Sequence, residues 1–151
     1  MPDLVTHTAA VYLVGRPFLE KDKRVLLYLG AILPDLLVRP FYILFPRLYF
    51  YTLAVHTPVF MAVFLALAIE FFKPGMRKKA LEFLALGIFS HFILDLLQKH
   101  ISSGYFWFFP FSWHSFEIGL FWPHQTLPFI PVWLFSVLII ELIIQMRRRK
   151  N

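Results

Sequence analysis

Cysteine is absent from the 151-residue chain, which excludes a disulfide framework, a thiolate metal site and a cysteine nucleophile. Charge is scarce as well. Asp, Glu, Lys and Arg together make up 16%, against roughly 25% in soluble domains. The six glycines form no phosphate-cradling or dinucleotide-binding loop, and neither a Gly-x-Ser-x-Gly elbow nor a His-Glu-x-x-His pair occurs. Ser90 stands beside His91, but helical neighbours point about 100° apart, so a serine hydrolase is not expected. No internal repeat or low-complexity tract is evident. The N-terminal stretch carries Asp3 and lacks a basic n-region and a small-residue cleavage site, so no removable signal peptide is expected.

What remains is largely hydrocarbon. Apolar types reach 59%, Phe alone occurs 19 times, and the mean hydropathy is +0.66. A soluble chain this short has too much surface for its volume to hide so much apolar material. The composition therefore points to a single integral membrane domain over residues 1–151 and excludes a disordered tail and a coiled coil. The net charge of +6 lies in short clusters between apolar runs: Lys21, Lys23 and Arg24; Lys73, Arg77, Lys78 and Lys79; Arg147, Arg148, Arg149 and Lys150. That is membrane-flanking charge rather than a basic face, so nucleic acid is not an expected partner.

Leu48 to Ile69 and Ile118 to Ile140 contain no Asp, Glu, Lys or Arg, and each exceeds the roughly 20 residues needed to cross a bilayer. Within the second run, Leu127 to Met146 reads as a helix closed by Arg147. Ala80 to Gln98 is interrupted only by Glu82 and Asp95. Val25 to Val38 is interrupted only by Asp35, and with Pro34, Pro40 and Pro46 nearby it reads as short or re-entrant. The first 19 residues, with Gly15 and Pro17, read as a further short helix. The expected fold is an all-α, multi-pass transmembrane bundle of about four to five membrane helices, some short or re-entrant.

If the three basic clusters face the cytoplasm, residues 53–72 run inward, 80–98 outward and 127–146 inward again. The stretch 99–126, rich in Tyr, Phe and Trp, then becomes an outer loop at headgroup level. Glu70, Glu82 and Glu141 lie within a turn or two of the basic clusters and read as interfacial charge partners.

Asp35 and Asp95 sit where a carboxylate costs roughly 2.5–3.5 kcal/mol to insert, and such residues usually face a cavity or a partner. His7, His56 and His91 share their apolar surroundings. His91 and Asp95 are four apart, which on a helix places them on one face with Cβ atoms about 5–6 Å apart. Imidazole nitrogen and carboxylate oxygen then converge, as a divalent metal requires. The topology brings His56, His91 and Asp95 to the outer side, and His7 begins at that level if the N-terminal helix crosses inward. Asp35 lies about 15 Å above the inner boundary by helical rise, facing a central cavity if a helix ends near Pro34. Against this stands hydrogen-bonded packing for each histidine and a pair between Asp95 and Lys99. A second group, His100, His114 and Glu117, lies in the outer loop with His124; the spacing of His114 and Glu117 suits a helical turn.

Read in order, Thr6–His7, Gly30–Ala31–Ile32–Leu33–Pro34–Asp35, His56–Thr57, Ser90–His91–Phe92–Ile93–Leu94–Asp95 and Phe109–Pro110–Phe111–Ser112 resemble the small membrane-bound metal-dependent hydrolases of the YdjM type. The resemblance covers roughly residues 5–115. More distantly, the order of ligands is similar to the zinc-dependent phospholipase C and P1 nuclease pattern. That likeness implies one zinc on Asp35, His56, His91 and Asp95, with Asp95 bridging to a neighbouring metal that also takes His7. His100, His114 and Glu117 would correspond to a further site. The chain departs from the family pattern at Leu36 and Leu37, where a second acidic residue often follows Pro-Asp. It departs also at Tyr51, near the place of an extra histidine, and at Pro58, in place of serine.

Two function classes follow. The first is a membrane-embedded metal-dependent hydrolase of a phosphoester in a phospholipid or lipid-linked substrate at the outer leaflet. One to three divalent ions, zinc before manganese, would activate water and offset phosphoryl charge. Asp35 or Asp95 would orient that water, Arg39 and Lys99 would clamp phosphate, and apolar walls would hold acyl chains. The expected partners are membrane lipid and the lipid-like substrate; the sequence leaves the oligomeric state open. The second class is a non-catalytic membrane protein whose His/Asp cluster binds or conducts a cation or proton, although no repeat halves suggest a transporter.

Overall fold

Helices and short 3-10 turns supply every regular element among the described residues of the computed structural model, which are 4–100 and 104–150. Asp3 lies outside them. The helices are α1 (Leu4–Phe18), α2 (Lys21–Leu44), α3 (Tyr49–Val55), α4 (Pro58–Ala68), α5 (Pro74–Leu97) and α6 (Ile130–Lys150). Three segments are long and apolar enough to span a membrane, Lys21–Leu44, Pro74–Leu97 and Pro123–Arg149, and Pro58–Phe71 is a shorter apolar helix. The all-α membrane bundle expected from composition is what forms.

Two expectations about breaks need correction. Residues 25–46 do not dip and return: α2 continues unbroken through Pro34 and Pro40. A proline forfeits one backbone hydrogen bond, and a membrane helix tolerates that where neighbouring elements compensate. Asp35 therefore projects from mid-helix rather than from a helix end. Conversely, the charge-free run 48–69 is not one helix. Pro58 drives Thr57 into extended backbone (φ −130°, ψ 149°), as the residue before proline prefers. The Thr57 hydroxyl then accepts from the Phe60 amide at 3.3 Å to start α4. His56 sits at this break, outside either helix and buried.

α2 and α5 form the centre of the bundle and run the same way. Their closest approach is between glycines: a Cβ on Gly30 would lie 2.3 Å from the Leu84 carbonyl oxygen, and one on Gly87 2.2 Å from that of Leu27. Only glycine allows two backbones this near. α1 runs opposite to α2, with Gly15 against Leu27 at one end and His7 near Asp35 at the other. α6 runs with α1, as Thr6 shares a cavity with Thr126 and Trp133 while Arg16 meets Glu141. The three basic clusters thus share one end of the bundle.

α6 presents almost its whole circumference outward; none of its spanning window is buried. It is fastened to α1 by polar contacts. Arg16 Nη2 donates to Glu141 Oε2 at 2.9 Å and Tyr12 donates to Oε1 of the same carboxylate. Glu141 is accordingly the partner of α1 rather than of the basic cluster near its own C-terminus. Glu70 and Glu82 do pair with Arg77 and Lys78, at 2.7 and 4.0 Å.

The aromatic stretch after α5 folds back over the end of the bundle remote from the basic clusters. Its return limb is tied to the last turn of α5 by Ile118 N–H to Leu96 O and Leu120 N–H to Leu97 O, at 2.8 and 2.7 Å. Tyr105 and Trp107 are pressed inward and buried, whereas Phe111 and Trp113 stand exposed.

Candidate metal centre

His7, Asp35, His56, His91 and Asp95, contributed by α1, α2, the α3–α4 break and α5, converge beneath this loop. All five are buried, four of them with no exposed surface. Two overlapping groups have ligand atoms within 4.8 Å of one another: His7, Asp35 and His91, and His56, His91 and Asp95. His91 belongs to both.

Asp95 is the hub. Its Oδ2 lies 2.7 Å from His56 Nε2 and 3.2 Å from His91 Nε2, and its Oδ1 lies 3.6 Å from His7 Nε2. The His7 and His91 rings stack at 3.9 Å. On the far side of the group, Arg39 Nη2 meets Asp35 Oδ2 at 2.6 Å, one helical turn along α2.

The tautomer of His91 follows from its surroundings. Its Nδ1 lies 2.7 Å from the Ala31 carbonyl oxygen, which can only accept, so Nδ1 carries the hydrogen. In a neutral ring Nε2 then holds a lone pair, and that lone pair faces carboxylate Oδ2. Such an arrangement requires a proton or a cation between them. A backbone carbonyl holding the non-ligating nitrogen is also the usual support of a metal-bound histidine.

The donor set fits a divalent ion. Tetrahedral zinc with bonds near 2.0–2.1 Å separates its ligand atoms by about 3.3 Å, close to the spacings at His91 and His7. Neither ring nitrogen of His7 has a hydrogen-bond partner, nor do His91 Nε2 and Asp95 Oδ1, although all are buried. Each such group costs about 1–3 kcal/mol if left so. Two buried carboxylates face one guanidinium among the described residues, and a cation held by the imidazoles, or a proton on one of them, would offset the surplus negative charge. Imidazole with carboxylate, without sulfur, suits zinc and neighbouring first-row metals.

The loop group is not drawn into this arrangement. His114 and Glu117 are exposed, and residues 112–120 are not helical, so the spacing of three does not form a turn. Glu117 Oε2 instead accepts from the His100 backbone amide at 2.7 Å. The His100 ring packs edge-on against Tyr105 at 4.7 Å, and its burial lowers its pKa below the ordinary imidazole value. Lys99 lies with Nζ 5.0 Å over the Trp122 ring, and Asp95 pairs with histidines rather than with Lys99.

Two residues that sequence reasoning passed over stand beside the centre. Tyr105 is buried with its ring 6.3 Å from that of His56, and its hydroxyl meets no hydrogen-bond partner. Burial, with Asp95 and other carboxylates nearby, holds this phenol protonated far above its usual range. Gln98, one turn beyond Asp95, is wholly buried with both amide atoms unpartnered. For Gln98 the helical spacing from His91 and Asp95 was a readable signal. For Tyr105, one aromatic among many in the loop, there was none.

A family model described as YdjM inner membrane protein matches the chain over residues 1–151. No curated protein and no solved structure matches it.

Proposed function

The chain belongs to the YdjM inner membrane protein family, and on that premise we propose that this membrane protein is a metal-dependent hydrolase of a phosphoester in a phospholipid or lipid-linked substrate. The observation that carries the reading is the convergence of His56, His91 and His7 Nε2 on the Asp95 carboxylate, at 2.7, 3.2 and 3.6 Å.

His7, His56, His91, Asp35 and Asp95 would hold the ion, zinc before manganese. When bound, such an ion supplies Lewis acidity, withdrawing charge from phosphoryl oxygens and making water acidic enough to act near neutral pH. The chain's own groups do the rest. Asp35 and Asp95 accept hydrogen bonds from water and orient it. Arg39, 24% exposed beyond Asp35, pairs with phosphate oxygens, for which its planar fork is suited. Tyr105, kept neutral, donates to a phosphoryl or leaving-group oxygen. Of the two basic residues, Arg39 touches the cluster through Asp35 whereas Lys99 lies over Trp122, so the phosphate contact falls to Arg39. With the shared basic end cytoplasmic, the centre lies toward the outer leaflet.

The test is elemental analysis of protein purified without an affinity-tag metal, followed by a screen of lipid phosphoesters with the loaded protein. Stoichiometric metal and release of phosphate or phosphoalcohol support the reading. A wild type that takes up neither zinc nor manganese overturns it. Cation or proton flux through proteoliposomes without turnover would favour the alternative, a cation- or proton-binding membrane protein.

A further inference from the structure

Gln98 takes no part in holding an ion, yet it is placed with residues that would. His91, Asp95 and Gln98 stand at i, i+4 and i+7, one stripe of α5 and its cap. Gln98 lies a turn nearer the covering loop than Asp95. Its side chain is wholly buried, and neither amide atom meets a hydrogen-bond partner. The backbone there is tied on both sides: Gln98 N–H donates to Asp95 O at 3.1 Å, and Lys99 N–H to Phe121 O at 2.8 Å. The residue is held in place with its amide unspent.

Packing does not account for this side chain. A buried amide without partners costs free energy that methionine, of similar length, would not. Gln125 shows what a structural glutamine does in the same region. Its Oε1 accepts from the Trp122 amide at 2.7 Å, at the start of the turn Pro123–Phe129. Gln98 supports no such turn. Its amide carries donors on Nε2 and an acceptor on Oε1 in one rigid plane, and it stays neutral at every working pH. Fixed neutral donors aimed at developing charge assist a reaction without having to reorganise. Tyr105, also buried with its hydroxyl unpartnered, is a second such donor beside the centre.

We infer that Gln98 binds the phosphoryl group at the centre, its Nε2 donating to a phosphoryl oxygen while its Oε1 accepts from the water that attacks phosphorus. The inference rests on the phosphoester reading of the centre and gives both unspent amide atoms a partner. In that step the water oxygen forms a new P–O bond and the P–O bond to the alcohol breaks. One water proton leaves with the alcohol, and the other stays as P–OH. The product therefore presents Gln98 with both an acceptor oxygen and a donor hydroxyl. Hydrogen phosphate has that pair, whereas sulfate, of the same charge and shape, has acceptors alone.

The test uses the full chain in an uncharged maltoside detergent, with zinc supplied, and measures dissociation constants for inorganic phosphate and sulfate. The wild type is expected to prefer phosphate. Gln98→Met, which keeps the length and removes both polar atoms, weakens phosphate at least about tenfold and reduces the preference over sulfate. Zinc content stays at the wild-type level. The melting temperature of the metal-free variant is unchanged or higher, because no internal bond is lost. Gln98→Leu, a second apolar replacement, behaves alike. Gln125→Met lowers the melting temperature and leaves phosphate binding unchanged.

A wild type that binds no phosphate, or binds phosphate and sulfate equally, overturns the inference. So does phosphate affinity that survives both Gln98 variants, or that falls as far in Gln125→Met. A melting temperature lowered in both Gln98 variants overturns it by giving the amide to the fold, and loss of zinc in both does so by giving it to the ion. The two readings fail separately. Turnover with phosphate binding indifferent to Gln98 strikes this inference alone. Phosphate binding that depends on Gln98, in a protein without turnover, strikes the hydrolase reading alone.

Discussion

His91 donates through Nδ1 to the carbonyl oxygen of Ala31, 2.7 Å away on the neighbouring helix. One hydrogen bond thereby joins the packing of α2 on α5 to the protonation state of the centre. The glycine contact at Gly30 and Gly87 sets how near that carbonyl stands, the carbonyl selects the tautomer, and the tautomer leaves Nε2 facing Asp95.

Replacing either member of this pair of ring and carboxylate should empty the centre. His91→Ala and Asp95→Asn are each expected to reduce zinc affinity by more than the roughly 10–100-fold that loss of an outer-shell partner costs. Elemental analysis alongside far-ultraviolet circular dichroism checks this; metal retained in both folded variants would place the ion elsewhere.

The helix contact makes a second, metal-independent prediction. Gly87→Ala sets a methyl group 2.2 Å from the Leu27 carbonyl oxygen, and overpacking of this kind costs about 1–3 kcal/mol or more. The melting temperature should fall, and zinc affinity with it, because Ala31 moves relative to His91. Gly75→Ala meets nothing within 4 Å and should raise stability by about 0.4–1 kcal/mol.

Tyr105→Phe separates function from stability. The phenol oxygen is buried without a partner, so removing it should leave the melting temperature unchanged or raise it by about 1 kcal/mol equivalent. Metal content should stay at the wild-type level while phosphoester turnover falls at least about tenfold. Unchanged turnover would remove Tyr105 from the reaction.

The α1–α6 fastening can be measured in isolation. Glu141→Gln and Arg16→Gln should each destabilise the protein, and the double variant less than their sum, with a coupling of about 0.6–1.7 kcal/mol as found for polar contacts between membrane helices. Thermal unfolding of the four proteins of the cycle supplies the value.

The membrane class, the basic-cluster alternation and the grouping of His7, Asp35, His56, His91 and Asp95 were legible because each is written in local chemistry: hydropathy, charge placement and an i, i+4 pair. The continuity of α2 through Pro34 was not, since whether a proline breaks a helix depends on what neighbouring helices offer the freed backbone. The split at His56 was written in Thr57–Pro58, but the absence of charge over 48–69 outweighed it. His114 and Glu117 carry helical spacing without helix, because the loop's backbone is committed to the end of α5 instead. Tyr105 reaches the centre through the path of a loop, which no period encodes.

The outward position of α6 bears on how the protein is made. Every residue of the candidate cluster lies before residue 96, and Tyr105 follows within ten more, so all of them are polymerised before Ile130. Domains emerge N-terminal part first at about 5–20 residues per second. The five earlier helices therefore leave the ribosome before α6. α6 follows them, and its Glu141 fastens onto Tyr12 and Arg16 of a helix made more than a hundred residues earlier.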